Sequence, residues 1–290
     1  MTFKKILVHL DDHRGHETRL QLAISIARRS NAHLAALYGF DLPQVPPPIS
    51  NLATGGYVTT DMLRDVYIRE RDAAFDNAAH FEAIFRAETS RFGLTGEWLI
   101  CPDEAADRVT LVVERARYAD LTVVGQADPD HPLFDVLARL PETVMMACGR
   151  PVLIVPYAGR AGNVGNCVLV AWSGTREAAR AVADALPLIQ HAETVTVLSI
   201  GQTHGSKGNG EQPADDLVRY LAQHDIRAEA SHLVSDDIEA GELILSRASD
   251  LGCDLIVMGG YGHSRMRELI LGGVTRAVLQ HMTVPVLMSH

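Results

Sequence analysis

The sequence predicts an α/β fold in which one doubly wound unit with a parallel sheet occurs twice in tandem. Short runs rich in Val, Ile and Leu alternate with longer segments of helical period, which is typical of parallel strands connected by helices. The two halves of the chain also share short matching segments, which indicates an internal duplication. A cluster of glycines after one buried strand marks the second copy alone as a candidate site for a phosphate-bearing ligand.

The duplication is visible in matching segments at corresponding places in the two halves. Residues 119–125 read Ala-Asp-Leu-Thr-Val-Val-Gly, and residues 253–259 read Cys-Asp-Leu-Ile-Val-Met-Gly. A Pro-Val-Leu sequence follows at the same spacing in both halves, and residues 5–11 correspond to residues 167–173 at the openings. Such a repeat predicts two similar folding units. We expect their boundary in the polar, glycine-containing residues 156–162, which gives domains at 1–157 and 163–290.

Apolar runs and helical periods locate the individual elements. In the second half, strands are expected near residues 168–171, 195–200, 228–233, 255–258 and 286–288. Helices are expected at residues 17–30, 176–190 and 242–251. The strand at 255–258 is apolar at every position, which indicates that helices cover both faces of the sheet. Residues 42–60 and 202–213, which follow the second strand of each half, are predicted to be mobile flaps.

Composition and charge exclude several classes of protein. The 290 residues are 47% hydrophobic and 21% charged, which is the balance of a soluble globular protein. A net charge of −10 argues against general binding to nucleic acid, which needs clustered Lys and Arg. No apolar run approaches the roughly 18 residues of a membrane span and no signal peptide is recognisable, so a cytoplasmic location is expected. Because the four cysteines lack CxxC spacing and the histidines lack metal-ligand spacing, we expect reduced thiols and no metal site.

The glycine-rich segment at residues 258–276 is the most informative stretch of the second half. Gly259 and Gly262 come just past the carboxyl end of a buried strand, where ligands enter open α/β sheets. Gly272 and Gly273 then begin a helix, whose first backbone N–H groups can bind an anion without a lysine. Glycines also serve as ordinary punctuation between strand and helix. Two clusters in this context favour phosphate binding over that simpler explanation.

The spacing of these glycines resembles a known family. Gly259-x-x-Gly262, followed after nine residues by Gly272, lies between an Asp-Leu-Ile-Val-Met strand and a final Val-Pro-Val-Leu. This arrangement is similar to the hallmark of the universal stress protein family in its tandem two-domain, UspA-like form. The resemblance implies a Rossmann-like domain in each half, with a five-stranded parallel sheet and flanking helices. It also implies pairing of the two domains through their last strands, adenine nucleotide binding and a role in stress survival.

Carried over onto this chain, the resemblance implies a site for ATP, ADP or AMP, with or without Mg²⁺, in the second domain. Adenine would lie near Trp172, Ser173 and Ile200. The phosphates would meet donors at these positions of the glycine-rich segment: Gly259, Gly262, His263, Gly272, Gly273, Val274 and Thr275. Thr275 could equally serve as a helix-start hydroxyl. Binding members usually have Ser or Thr where Gly273 stands and an acid where Ser173 stands, so a different phosphorylated ligand stays open.

The first half departs further from the binding pattern. Asp128 stands in the place of Gly262, and Ala138 and Arg139 stand in the places of Gly272 and Gly273. A carboxylate where phosphates should lie opposes their binding, so this half is expected to have lost the site. Asp11 retains the acid that the second half lacks, and without a phosphate loop we expect it to be a surface residue.

No enzyme signature accompanies the site, and no catalytic residue is predicted. The chain has neither Gly-x-Ser-x-Gly nor Gly-Lys-Ser/Thr, so fast nucleotide hydrolysis is not expected. We predict a non-enzymatic, nucleotide-responsive stress protein that is read by an unknown protein partner and whose chains could associate as a homodimer. A slow ATP hydrolase or nucleotide-transferring enzyme is one alternative. A scaffold that binds no nucleotide is the other.

Overall fold

A computed structural model describes residues 2–11, 14–40, 60–102, 108–131, 134–159, 162–201, 213–235, 237–261 and 273–290. The predicted flaps at 42–60 and 202–213 lie outside the described residues except for Thr60 and Pro213, each of which begins a helix.

Strands and helices alternate along both halves. The first half contains β1 (Lys5–Leu10), α1 (His16–Ser30), β2 (His33–Phe40), α2 (Thr60–Arg91), β3 (Gly96–Pro102), α3 (Arg108–Ala116), β4 (Leu121–Gly125), α4 (Phe134–Leu137), α5 (Arg139–Cys148) and β5 (Val152–Val155). The second half contains β6 (Cys167–Ala171), α6 (Arg176–Ile189), β7 (Thr194–Gly201), α7 (Pro213–Ala222), β8 (Glu229–Val234), α8 (Ala240–Asp250), β9 (Leu255–Gly259), α9 (Gly273–His281) and β10 (Val286–Ser289).

All of these strands belong to one ten-stranded sheet with the order β3-β2-β1-β4-β5-β10-β9-β6-β7-β8. Neighbouring strands within each half are parallel. Strands β5 and β10 are antiparallel, with Leu153 opposite Leu287, and they join the two sets of five strands. The predicted doubly wound α/β fold is confirmed. The two sets form one continuous sheet, which leaves β3 and β8 as its edges.

Alternating side chains bury both faces of this sheet. In β9, Leu255 and Val257 belong to the apolar cluster formed with α1, α2, α6 and α7. Ile256 and Met258 belong to the cluster on the opposite face, formed with α3, α5, α8 and α9. A strand with period-two side chains between two helical layers must be apolar at every position, as the sequence of β9 is.

The repeated Asp-Leu sequence has a structural role at the start of each sheet. The Asp254 carboxylate accepts hydrogen bonds from the backbone N–H groups of Gly165 at 2.8 Å, Asn166 at 3.0 Å and Cys167 at 3.3 Å. Asp120 accepts in the same way from Lys4 at 2.7 Å and Lys5 at 3.0 Å. Each aspartate therefore binds the backbone that leads into the neighbouring strand, β6 or β1.

Removing the Asp254 carboxylate is expected to destabilise the protein. Asp254→Ala should lower the free energy of unfolding by about 2 kcal/mol, because hydrogen bonds to a charged acceptor contribute about 1.5–3 kcal/mol. Asp250→Ala is the matched control, since Asp250 is exposed at the end of α8. Urea unfolding monitored by circular dichroism measures both variants. Equal midpoints for the two variants would mean that the backbone contacts of Asp254 contribute nothing.

Candidate functional site

Each half has one position where the chain leaves neighbouring strands toward opposite faces of the sheet. In the second half, β6 leads into α6 on one face, and β9 leads toward α9 on the other. Strands β6 and β9 are adjacent, so a crevice opens beyond their carboxyl ends. Ligands of open α/β sheets bind in crevices of this kind. The equivalent position in the first half lies between β1 and β4.

The crevice of the second half is a cleft with a volume of about 430 Å³. It lies at the ends of β6, β7 and β9 and at the start of α9. Residues of the sequence-predicted site that line it are Trp172, Ser173, Ile200, Gly259, Gly273, Val274 and Thr275. Gly262, His263 and Gly272 lie outside the described residues. The cleft therefore brings together parts of the chain that are far apart in sequence.

The lining of this cleft is neutral. Leu198, Ile244 and Met258 supply apolar surface, and Ser173 and Thr175 supply hydroxyl groups. None of the described lining residues carries a charged side chain. Within the described ranges, no group of three or more His, Cys, Asp or Glu side chains could hold a metal ion. A mostly apolar cleft with a few polar groups suits a small organic ligand such as a planar base.

Close packing of α6 explains why glycine stands at the end of β9. A Cβ atom at Gly259 would lie 2.5 Å from the backbone nitrogen of Ala178 and 2.6 Å from the carbonyl carbon of Glu177. Thr175 is the N-cap of α6: its hydroxyl accepts a hydrogen bond from Ala178 N–H at 3.3 Å and lies 3.1 Å from the Ser173 hydroxyl. The N-terminus of α6 thereby forms one wall of the cleft.

The start of α9 forms a second wall. Tyr261 has a left-handed backbone, with φ 54°, and its N–H donates to the Thr275 hydroxyl at 3.4 Å. Thr275 is buried, with 4% of its surface exposed, so its hydroxyl holds the end of the β9 segment against α9. Gly273 begins α9 and is exposed, and no heavy atom of the described residues lies within 4 Å of a Cβ built on it. The described residues therefore leave the backbone at Gly273 open to approach.

Helix α5 of the first half also supports this segment. A Cβ on Gly260 would collide with the thioether of Met145, and Tyr261 lies against Glu142. Burial raises the pKa of the Glu142 carboxyl, against opposing effects of Tyr261 and Arg276. Burial also raises the pKa of the Tyr261 hydroxyl, and the nearby Glu142 charge adds to the rise. The two halves thus contact each other directly beside the cleft.

The equivalent crevice of the first half is filled by a side chain. Its volume is only about 30 Å³, because the Arg19 guanidinium lies over Gly125, where a Cβ would be 2.5 Å from Arg19 Nη2. Arg19 is 3% exposed. It donates to the His9 carbonyl at 2.8 Å and to both carboxylate oxygens of Asp11 at 3.1 and 3.2 Å. Asp128, which was expected to oppose phosphate, lines the same space.

The expectation that Asp11 is a surface residue is wrong. Asp11 is 6% exposed and forms a bidentate ion pair with Arg19. A carboxylate can be buried at this depth when a cation and hydrogen bonds replace its water. The missing phosphate loop does not expose Asp11, because Arg19 of the same half takes the place of a ligand as its partner.

Sequence reasoning also missed three residues that shape the two crevices. Arg19 could have been noticed as a cation in the first turns of α1, directly beside the apolar residues that face the sheet. Thr175 could have been found from N-cap preference, since it directly precedes a helical run. Tyr261 gives no such signal, because a left-handed conformation at a residue other than glycine is not readable from its type.

Comparison with known proteins identifies the family of the second half. The family model described as the universal stress protein family matches residues 166–290. A universal stress protein of Synechocystis is 44% identical over 48 residues, and one of Methanocaldococcus jannaschii is 40% identical over 57 residues. These matches cover 17% and 19% of this chain, and they span only 17% and 35% of the lengths of the two relatives.

A solved structure extends the similarity of fold to both halves. The crystal structure of a universal stress protein from Archaeoglobus fulgidus superposes with a TM-score of 0.69. The match covers 98% of this chain and 95% of that one at 17% sequence identity, so it demonstrates a shared fold. In the described part of the chain, no helix is both long enough and apolar enough to cross a membrane. Residues 166–290, a little less than half of the chain, are therefore similar to the universal stress protein family, and the fold of that family extends over both halves.

Proposed function

We propose that the cleft of the second half binds an adenine nucleotide, ATP, ADP or AMP, and that the protein acts as a nucleotide-responsive regulator in a stress response. One observation carries the proposal. Every described residue that the sequence predicted for the site, both in the glycine-rich segment and at the ends of β6 and β7, lines the same cleft. Its volume of about 430 Å³ lies in the range of small-molecule sites, roughly 300–1,000 Å³.

The two ends of the cleft suit the two ends of a nucleotide. Trp172, Ile200 and Leu198 would contact the base, since they give an apolar and aromatic surface. The phosphates would approach the open backbone at Gly273 and Val274, where the first N–H groups of α9 lack partners within the helix. The described lining contains no carboxylate, so a Mg²⁺ ion would depend on phosphate oxygens and water for its ligands.

The proposal assigns one nucleotide site to each chain. In the first half, the buried Arg19 and Asp11 pair occupies the equivalent crevice, which supports the loss of a site there. We further propose two tandem universal stress protein domains, at 1–157 and 163–290, that dock through β5 and β10. The antiparallel register of these strands supports that docking. A cytoplasmic location, an unknown protein partner and a homodimer belong to the same proposal.

Substitution at Gly273 tests the proposed phosphate position. Gly273→Asp should weaken ATP affinity by about tenfold or more, about 1.4 kcal/mol, because a carboxylate at the start of α9 competes with the phosphates for the same N–H groups. Gly273→Ala is the matched control, since no heavy atom of the described residues lies within 4 Å of a Cβ at this position, and it should leave affinity nearly unchanged. Isothermal titration calorimetry measures both variants.

Fluorescence provides a second measurement at the base end of the cleft. The chain has two tryptophans, and Trp98 packs against Tyr38 and Phe85 in the first half. In a Trp98→Phe background, the emission of Trp172 should change on addition of ATP and saturate. If Gly273→Asp binds ATP as tightly as the parent, or if Trp172 does not respond, the assignment of the cleft is wrong.

Two further measurements separate the alternative functions. Protein purified without added nucleotide should release an adenine nucleotide on denaturation, and a scaffold would release none. Prolonged incubation with ATP and Mg²⁺ should leave ATP intact. The described lining has no charged group to catalyse phosphoryl transfer, and the sequence has no Gly-Lys-Ser/Thr motif. Steady release of phosphate that Gly273→Asp abolishes would favour the slow hydrolase instead.

A further inference from the structure

Two thiols lie in contact at the end of the second half opposite the cleft. Cys167 is the first residue of β6, and Cys253 comes shortly before β9. Their sulfur atoms are 3.4 Å apart, although the residues are separated by 86 positions in the chain. The sequence has no CxxC motif that would indicate this pair.

Backbone hydrogen bonds position the two cysteines next to each other. Strands β6 and β9 are parallel neighbours that pair Val168 with Leu255. Between the two cysteines, Asp254 N–H donates to the Cys167 carbonyl at 2.8 Å, and the Asp254 carboxylate accepts from Cys167 N–H at 3.3 Å. The Cys253 N–H donates to the Ala248 carbonyl at 2.8 Å. Backbone hydrogen bonds thus fix both residues while their sulfurs lie in contact.

Small reagents can reach the pair. Cys167 is half-buried, and Cys253 lines a cavity of about 200 Å³ together with Val164 and Pro285. Burial raises the pKa of Cys253 to about 12, and the neighbouring Cys167 thiol adds to the rise. Cys253 therefore remains a thiol at neutral pH, so the first reaction with an oxidant falls to Cys167.

We propose that Cys167 and Cys253 form a reversible disulfide when the protein meets a hydroperoxide. In the first step, the Cys167 thiolate attacks one peroxide oxygen and the O–O bond breaks, giving a Cys167 sulfenic acid and hydroxide, or alkoxide from an organic peroxide. In the second step, the Cys253 sulfur loses its proton and attacks the Cys167 sulfur, and the S–O bond breaks to release hydroxide. The released proton and hydroxide form water, and the peroxide has accepted two electrons from the two thiols.

The disulfide needs only a local movement. The sulfurs must approach from 3.4 Å to the bonded distance of about 2.05 Å. Crosslinking closes a loop that runs from β6 to the start of β9, so oxidation should raise the melting temperature of the protein by restricting its unfolded chain. The inference is independent of nucleotide binding, because the pair and the cleft lie at opposite ends of β6 and β9.

The test uses the full chain in a Cys101→Ser background, which leaves Cys148, Cys167 and Cys253 as the only thiols. Folded protein is treated with hydrogen peroxide and quenched with acid. Its remaining free thiols are then alkylated, and the mass of the product is measured by mass spectrometry. We expect a product that has lost two hydrogen atoms and retains one free thiol, with a crosslink between the peptides of Cys167 and Cys253. Dithiothreitol should restore all three thiols, and the oxidised form should melt at a higher temperature than the reduced form.

Single serine variants make the result specific. Cys148→Ser is the matched control, because Cys148 is also buried with a raised pKa, and it should leave the crosslink unchanged. Cys253→Ser should lose the crosslink and accumulate a sulfenic acid at Cys167 that dimedone captures. Direct oxidation of Cys167 to a sulfinic acid in the parent protein, or a crosslink that persists in Cys253→Ser, would overturn the proposal. So would folded protein that keeps all three thiols after treatment.

Discussion

Replacing Arg19 with methionine is expected to cost more stability than any other substitution considered for this protein. Arg19 and Asp11 are 3% and 6% exposed and share two hydrogen bonds, at 3.1 and 3.2 Å. Methionine fills similar volume but leaves the Asp11 carboxylate buried without its guanidinium partner. Breaking one side of a buried pair costs about 3–5 kcal/mol, so we expect a loss of this size in the free energy of unfolding. Urea denaturation followed by circular dichroism measures it.

Arg14→Met is the matched control for this prediction. Arg14 belongs to the same crevice and lies 3.8 Å from a carboxylate oxygen of Asp128, but its side chain is 70% exposed. An exposed pair at this distance contributes about 0–1 kcal/mol, so Arg14→Met should unfold almost like the parent. The double variant Asp11→Leu, Arg19→Met should recover part of the loss, because no charge is then left buried. A double variant no more stable than Arg19→Met would contradict this account.

The Arg19 and Asp11 pair also explains why the duplicated halves differ at equivalent crevices. Gly125 and Gly259 occupy matching positions in the repeat, yet a side chain faces one and a helix backbone faces the other. In the first half, the guanidinium reduces the crevice to about 30 Å³, whereas the second half keeps about 430 Å³. A duplicated fold can therefore keep its backbone while one buried cation removes the space for a ligand.

The fold was predictable because its signals are local. The strand expected at 255–258 is β9, and the helix expected at 242–251 is α8, at Ala240–Asp250. Apolar periodicity depends only on neighbours in sequence, so it can be recognised without any knowledge of tertiary contacts. The glycine positions beside the cleft were identifiable for a similar reason, since a tight turn after a strand restricts the residue types at fixed spacing.

Contacts between distant residues could not be read in the same way. The ion pair of Arg19 and Asp11 depends on the packing of α1 over Gly125, which no spacing encodes. The thiol contact between Cys167 and Cys253 depends on the register of β6 against β9. Both are consequences of sheet order, and sheet order is a property of the complete fold.

The second large expected effect is that of Gly259→Ala. A Cβ at this position would lie 2.5 Å from Ala178 N and 2.6 Å from Glu177 C, so it would collide with the backbone of α6. No side-chain rotation can relieve that contact, and α6 is itself packed on the sheet through residues such as Val182. Overpacking costs about 1–3 kcal/mol, and we expect a loss of about 3 kcal/mol because backbone must move.

Gly201→Ala separates this steric effect from the general cost of changing a glycine at the end of a strand. Gly201 ends β7 in the same half, and in the part of the chain that the structure describes a Cβ built there has no heavy atom within 4 Å. Gly201→Ala should therefore have a free energy of unfolding within about 0.5 kcal/mol of the parent, as exposed substitutions usually do.

Because relief of the Gly259 clash requires α6 to move away from β9, Gly259→Ala should also disturb the wall of the cleft formed by Thr175. Its ATP affinity should fall under conditions where the variant is still folded, whereas that of Gly201→Ala should not. Similar unfolding midpoints for the two variants would mean that α6 moves without cost and that close packing does not explain the glycine.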